Sequence, residues 1–357
     1  KLRDQEKILL ISAITQIVFL NFKEYAVINC SVEIAKKLNL YPGIINATLK
    51  KIAKNKNDLK QIKINFSDLP LWFQKKTSFM SYYEKKQFLE NFHKEPSIHI
   101  VFKDEEKLQK FDAKLFKTSM ISGFLLDEKN FQEKISFING DWWVQDFSSF
   151  LPLHNFNKIN KDKVLLDACA APGGKTIQLI LKNAKVTSVD INQERLDILK
   201  DNLTRLNLKS NLVKENVLNF TPSQKADIIL LDPPCTSSGV IRKNPDILLN
   251  NNFENLKNFQ LLQINLLKKS LQLLKKDGIL IFSTCSIFKE EGEDIIKQIC
   301  ESKFAKLVPI KPNELGDFSN CVKPEGWVRI LPNSLSHENN SFEQGNDGFF
   351  IAKLKLI

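Results

Sequence analysis

Glycine and proline are scarce in this sequence, at 12 and 13 of 357 residues, which excludes a long low-complexity or linker-dominated region. There is no run of 18 or more apolar residues, so nothing reads as a membrane span, and no membrane partner is expected. The apolar stretch at residues 8–22 follows the charged Glu6 and Lys7, and no small-residue cleavage site comes after it, which argues against a secretion signal. There is no CxxC. The six cysteines, Cys30, Cys169, Cys235, Cys285, Cys300 and Cys321, are spread along the chain and read as reduced thiols of a cytoplasmic protein. His93, His99, His154 and His337 lack metal-ligand spacing, so no metal site is expected. The first residue is Lys1 and not methionine, and the sequence reads as a piece of something longer.

What is abundant is lysine. Lys and Arg total 52 against 41 acidic residues, a formal charge of +11, which favours a polyanionic partner, although a solvated lysine-rich surface gives the same excess. At this length two or three domains are expected. Residues 1–58 show apolar positions three and four apart (Ile8, Ile11, Thr15, Val18 and Phe19; Val32, Ala35 and Leu38; Ile45, Leu49 and Ile52) and predict about three helices, punctuated by Pro42-Gly43. Residues 59–150 predict helices over 68–91 and then short strands at 97–102 and 119–124, a small lysine-rich α/β module. From 151 to 357 short apolar strands alternate with helices. The strands at 164–166, 186–189, 228–231 and 279–282 end at Asp167, Asp190, Asp232 and close to Cys285, and the helices span 176–182, 193–206 and 256–274. Repeated βα units with continuously apolar strands predict an α/β, Rossmann-like domain with a mostly parallel sheet. The carboxyl ends of its strands form the ligand crevice, and the polar residues just named all fall there.

DACAAPGGKT at 167–176 follows the first strand and opens a helix, so small residues and two glycines let the backbone pass close to a ligand, while the helix start offers free amides. It is no triphosphate P-loop, because Cys169 stands where GxxxxGK[ST] needs glycine, and it does not match GxGxxG. Asp190 ends the second strand 23 residues beyond Asp167, placed to accept hydrogen bonds from the two hydroxyls of a ribose or to cap the helix after it. Together the two signals point to an adenosine-containing cofactor.

With these motifs the sequence resembles the bacterial ribosomal RNA cytosine-C5 methyltransferases that carry a NusB-like helical domain, within the NOL1/NOP2/Sun family. DACAAPGGKT at 167–176 looks like the first motif of that family and VDINQERLDILKDNLTRL at 189–206 the second. LLDPPCTSSGVIRKNPDI at 230–247 looks like the fourth, FSTCSIFKEEGED at 282–294 the sixth, and DGFFIA at 347–352 the closing strand. More weakly, VQD at 144–146 resembles the segment before the catalytic domain, and IINATLKK at 44–51 the end of a partial NusB-like domain.

The resemblance implies S-adenosylmethionine as cofactor, a monomer, and RNA as partner, small-subunit rRNA first, with tRNA or 23S rRNA as alternatives. It makes Cys285 the nucleophile and Cys235 the cysteine that helps release product. Cytosine C5 is too weak a nucleophile to take a sulfonium methyl unaided; a thiolate added at C6 makes C5 nucleophilic, after which the C5 proton leaves and the thiol is expelled. Asp232 is implied at the N3/N4 edge of the base, and Lys175 beside it. Ala170, Ala171, Pro172, Gly173, Gly174 and Lys175 are implied around the cofactor, Asp190 on its ribose and Arg195 in support, with Asp232 on the same rim. Arg242 and Lys243, in a stretch like the family's RRxPD, are implied to bind a flanking phosphate. Cys169 reads as a packing residue.

The sequence also departs from that pattern. DPPCTSSG replaces the usual DAPCSGTG or DAPCSATG, and its Pro233 resembles the loops of exocyclic N-methylation. Glu215 and Asn216 stand where an aspartate for the adenine is usual, leaving Asn216 as the cofactor-binding candidate. The segment 96–103 lacks the arginine and asparagine of LRVN. An RNA-binding assembly factor without turnover is therefore a competing expectation.

Overall fold

The computed structural model describes residues 2–357 apart from 91, 93–95, 112–114, 118–120, 126–139, 155, 157–158, 160–161, 250–252, 338–339 and 342–344. The chain divides into two compact units, Lys1–Asn65 and Phe66–Ile357.

The first unit is helical: Asp4–Val18, Glu24–Lys37, Pro42–Lys54 and the short Lys56–Lys60. Pro42 is the first residue of its helix, where its missing N–H costs nothing. The three longer helices pack around Leu10, Ala13, Ile17, Val18, Val27, Ile28, Ala35, Leu40, Ile45 and Leu49. Ile8 and Ile11 are 67% and 63% exposed, and the buried stripe runs through Leu10, Ala13 and Ile17. Leu9, Leu10 and Ile11 are consecutive, so the apolar arc is wide enough to fit more than one helical phase.

The second unit begins with the helices Leu71–Lys76 and Tyr82–Glu90 and an antiparallel sheet of four strands, β1 (His99–Phe102), β2 (Leu115–Lys117), β3 (Ser122–Leu125) and β4 (Trp142–Val144), in the order β2-β3-β1-β4. The strand expected at 119–124 is thus found from Ser122 onward, with Ser119 and Met120 outside the described residues. Neither β2 nor β4 is legible in the sequence, each being only three residues long.

The larger sheet holds β5 (Val164–Ala168), β6 (Lys185–Asp190), β7 (Asn211–Lys214), β8 (Ala226–Leu231), β9 (Leu274–Thr284), β10 (Ala305–Val308) and β11 (Val328–Ile330). After the two-stranded ribbon β12 (Ser336–His337) and β13 (Asn340–Ser341), β14 (Phe349–Leu356) returns to complete it. Its order is β10-β14-β9-β8-β5-β6-β7, with β11 also paired to β14. Strands β5 to β9 are mutually parallel, and β14 enters antiparallel between β9 and β10. Successive side chains alternate between two cores. Leu165, Ile228, Leu230 and Ile281 pack with the helices Gly174–Leu181 and Gln193–Arg205. Leu166, Ile229, Leu231, Leu280 and Phe282 pack with Phe253–Gln272 and Glu293–Glu301 on the other face. Register puts Ala168 beside Val189 and Leu231, and Leu231 beside Phe282. Asp190, Asp232 and Cys285 therefore leave the sheet along one edge.

Candidate active site

A cavity of about 260 Å³ opens at that edge, lined by residues 169–175, Asp167, Asp232 and Cys285, and on the far side by Gln145, Asp146, Val240, Asp347 and Phe349. Its floor is the turn between β5 and the following helix. Gly173, at φ +107°, sits where any Cβ would lie 2.1 Å from Leu199, so only glycine lets the turn close onto the helix behind it.

Asp190 is buried and its carboxylate is shared between two backbone donors, Ala171 N–H at 3.1 Å and Asn192 N–H at 3.0 Å. Each oxygen keeps a lone pair for a ribose hydroxyl. Arg195 reaches back to the Ala171 carbonyl, so it holds the turn that lines the cavity. Asn216 follows β7, and its side-chain oxygen accepts the Leu218 N–H at 3.0 Å, again with one lone pair left. Burial pushes the Asp167 carboxyl up to about 7, and the Thr176 hydroxyl donates to it. Cys169 lines the cavity at φ +62°, and burial raises its thiol, consistent with an inert packing residue.

The structure brings Cys285, Cys235, Asp232 and Lys175 together. Lys175 Nζ lies 2.6 Å from Asp232 Oδ2 and 4.8 Å from the centre of the Phe349 ring, and Ser283 Oγ donates to Asp232 Oδ1 at 3.2 Å. The two sulfurs are 3.4 Å apart. A hydrogen bond from Cys235 lowers Cys285 from the usual thiol range despite burial, and Ser237 and Lys175 act in the same direction. The same hydrogen bond, with burial, raises Cys235. The pair is asymmetric in direction, Cys285 drawn below the usual thiol range and Cys235 pushed above it.

The backbone beside Cys285 is fixed from both sides. Gly239 N–H donates to the Cys285 carbonyl at 2.9 Å, and the Gly239 carbonyl accepts Gly348 N–H at 2.8 Å. Arg329, buried and paired with Glu293, donates to the Ser286 carbonyl.

Arg242 is a correction. Its side chain is only 3% exposed and faces Asp347 at 3.3 Å and Asp146 at 4.0 Å, so its charge is spent on buried carboxylates and does not face a phosphate. Lys243, 37% exposed, bridges the same two acids at 2.8 and 2.6 Å. Asp146 is held well below the carboxylate range, Lys243 and the bond to Asp347 outweighing burial; burial and Asp146 push Asp347 up to about 7.

Several residues of the site carried no role in the sequence. Gln145 lines the cavity with its carboxamide locked, accepting Trp143 Nε1–H and donating to Gln178, both at 2.8 Å. Asp347 and Phe349 belong to the recognised closing strand, and Glu291 to the recognised sixth motif, but only burial marks them out.

The fold is that of the Rossmann-like class of S-adenosylmethionine-dependent methyltransferases. The family described as 16S rRNA methyltransferase RsmB/F matches residues 155–355, more than half of the sequence, and the NusB family matches residues 1–54. The chain belongs to the RsmB/F family. It is 35% identical over 217 residues to ribosomal RNA small subunit methyltransferase B of Photorhabdus laumondii, covering 59% of this chain and 46% of that protein. Among solved structures, PH0851 superposes with a TM-score of 0.73 at 24% identity, covering 96% of this chain and 80% of the other. NSun6 from Pyrococcus horikoshii with SFG superposes with a TM-score of 0.63 at 18% identity, covering 79% and 97%. Both share the fold. The chain spans about half the length of the curated relatives it matches at 30% identity or more.

Proposed function

We propose that this chain methylates carbon 5 of a cytosine in RNA, small-subunit rRNA foremost, through a covalent bond between Cys285 and C6 of the base. The observation that carries this reading is the pair of sulfurs 3.4 Å apart, with Cys285 lining the cavity and drawn below the usual thiol range while Cys235 beside it is pushed above. An enzyme that methylates an exocyclic nitrogen needs neither.

The residues present fit the cofactor. Residues 170–174 supply its backbone cradle, Asp190 the acceptors for its ribose, Asn216 an acceptor for its adenine, and Arg195 the brace on Ala171. When bound, S-adenosylmethionine supplies an electrophilic methyl on a sulfonium. Cys285 supplies the thiolate that adds to C6. Asp232, steadied by Lys175 and Ser283, accepts from the N3/N4 edge as the ring takes on a proton there. Cys235 serves the elimination that frees the product. The four-stranded sheet within residues 59–150 and the helical residues 1–58 are read as the RNA-positioning parts, with Lys243 the accessible cation of its loop.

The test is transfer of labelled methyl to bacterial small-subunit rRNA, with 23S rRNA and tRNA in parallel, followed by nucleoside analysis. Label in 5-methylcytidine of the small-subunit rRNA is expected. Label at an exocyclic nitrogen only would reject the chemistry, and label in tRNA or 23S rRNA alone would reject the substrate.

A further inference from the structure

Glu291 is fully buried, sits between the two cysteine loops, and has no part in the chemistry above. Its Oε1 accepts the Thr236 N–H at 2.9 Å and a Gln263 Nε2–H at 3.0 Å, while Oε2 accepts the Thr236 hydroxyl. Its backbone carbonyl accepts the Thr284 hydroxyl at 2.9 Å. Thr236 follows Cys235 in sequence and Thr284 precedes Cys285, so one residue is tied to the neighbours of both sulfurs. Gln263, from the long helix Phe253–Gln272, adds a second strut by donating to the Pro234 carbonyl at 2.8 Å.

We infer that Glu291 is a positioning residue that sets the spacing of Cys235 from Cys285 and keeps the roles of the two sulfurs distinct. This rests on the covalent reading of the site. A buried carboxylate is retained where a ring of donors satisfies it, and here those donors are an amide, a hydroxyl and a carboxamide of the Cys235 loop and its backing helix. Without that acceptor, Thr236 N–H and Oγ–H lose a buried partner and the loop shifts to find another. Its negative charge also raises the Cys235 thiol, which favours Cys285 as the sulfur that gives up its proton first. Geometry and charge can be separated by substitution.

Glu291→Gln keeps a carbonyl oxygen for Thr236 and removes the charge. Thr236→Val keeps the charge and removes one tie. The full chain, wild type and both variants, is treated with iodoacetamide near neutral pH, and labelling of each cysteine is read by peptide mass spectrometry beside thermal melting. Both variants should raise the Cys235-to-Cys285 labelling ratio by about fivefold or more, since alkylation follows the thiolate fraction and access of each sulfur. With RNA and cofactor, Glu291→Gln should lower kcat by about tenfold with KM for S-adenosylmethionine unchanged, the pattern of a group that acts only at the chemical step. It should also leave a protein–RNA band on denaturing gels, as Cys235→Ala does.

An unchanged labelling ratio together with an unchanged kcat in Glu291→Gln overturns the inference. Should that variant not fold, an unchanged ratio in Thr236→Val overturns it. If Cys235→Ala gives the covalent band but Glu291→Gln behaves as wild type, the inference fails and the covalent reading stands. If Cys235→Ala gives no band while the labelling ratio still shifts, Glu291 keeps its positioning role and the part given to Cys235 in release fails.

Discussion

The Sγ atoms of Cys235 and Cys285 lie 3.4 Å apart across 50 residues of sequence, each just beyond the carboxyl end of a strand, β8 for one and β9 for the other. The parallel pairing of β8 with β9 makes them neighbours, and the hydrogen bond between them makes them unequal. Cys285→Ala should abolish methyl transfer, a loss of at least about a thousandfold as expected for an essential nucleophile. Cys235→Ala should instead accumulate a covalent RNA adduct visible after denaturing electrophoresis. The reverse pattern, an adduct in Cys285→Ala and none in Cys235→Ala, would exchange their roles.

Lys175 lies 2.6 Å from Asp232, the carboxylate proposed to face the base, and its ammonium sits 4.8 Å from the centre of the Phe349 ring. Lys175→Met preserves most of the packing and removes the charge. Transfer should fall by about a hundredfold or more, the scale for loss of one preorganised electrostatic group, with the melting temperature little changed. Single-turnover methylation beside a thermal melt makes the comparison; wild-type rates in the variant would mean that the ion pair is structural.

Gly239 is where three chain segments meet. A Cβ there would lie 2.1 Å from the Gly348 carbonyl oxygen and 2.8 Å from that of Cys285, both backbone atoms with little room to yield. Gly239→Ala should therefore cost about 1–3 kcal/mol, the range for overpacking a close-packed site. Urea unfolding measures it. Because one of the two displaced oxygens belongs to Cys285, activity per folded molecule should fall as well, and a variant of native stability would contradict the close approach.

Arg242 was expected on the RNA and lies inside the protein. Breaking a buried ion pair from one side leaves an uncompensated charge, so Arg242→Met should destabilise by about 3–5 kcal/mol, against a smaller loss for the partly exposed Lys243→Met. Denaturant unfolding gives both numbers. RNA affinity per folded molecule should not change in Arg242→Met, and a drop without destabilisation would return the guanidinium to the nucleic acid.

How far the sequence could be read follows from what each signal encodes. Strands of the parallel core announced themselves as short apolar runs ending at Asp167, Asp190, Asp232 and Cys285, because strands buried on both faces need apolar side chains on both. The run Phe349–Leu356 is equally apolar, but nothing in it records that it enters antiparallel between β9 and β10. Which face of the first helix is buried is not legible, because apolar residues surround it nearly all the way round. Among the acids of KEEGED, Glu290 pairs with Lys76, Glu293 with Arg329, and Glu291 alone braces the Cys235 loop. Three glutamates within four residues look alike until their environments are known, and the same holds for the neighbours Arg242 and Lys243.

Asp167 offers a test that does not require RNA. Burial pushes its carboxyl up to about 7, so the folded protein holds a proton there that the unfolded chain releases in the ordinary carboxylate range, near 3.9. A group whose pKa is raised on folding contributes stability that is complete below the unfolded value and is lost as pH rises through the folded one. Asp167→Asn is neutral throughout and retains an oxygen for the Thr176 hydroxyl. The melting temperature of the variant minus that of the wild type should therefore become more positive from about pH 4 to pH 7, and level off above. Asp347, also raised to about 7, titrates in the same window, but it does so in both proteins and cancels in the difference. A difference that stays flat with pH would mean that Asp167 is already ionised in the folded protein at low pH, and the cavity floor would then carry a negative charge beneath Lys175.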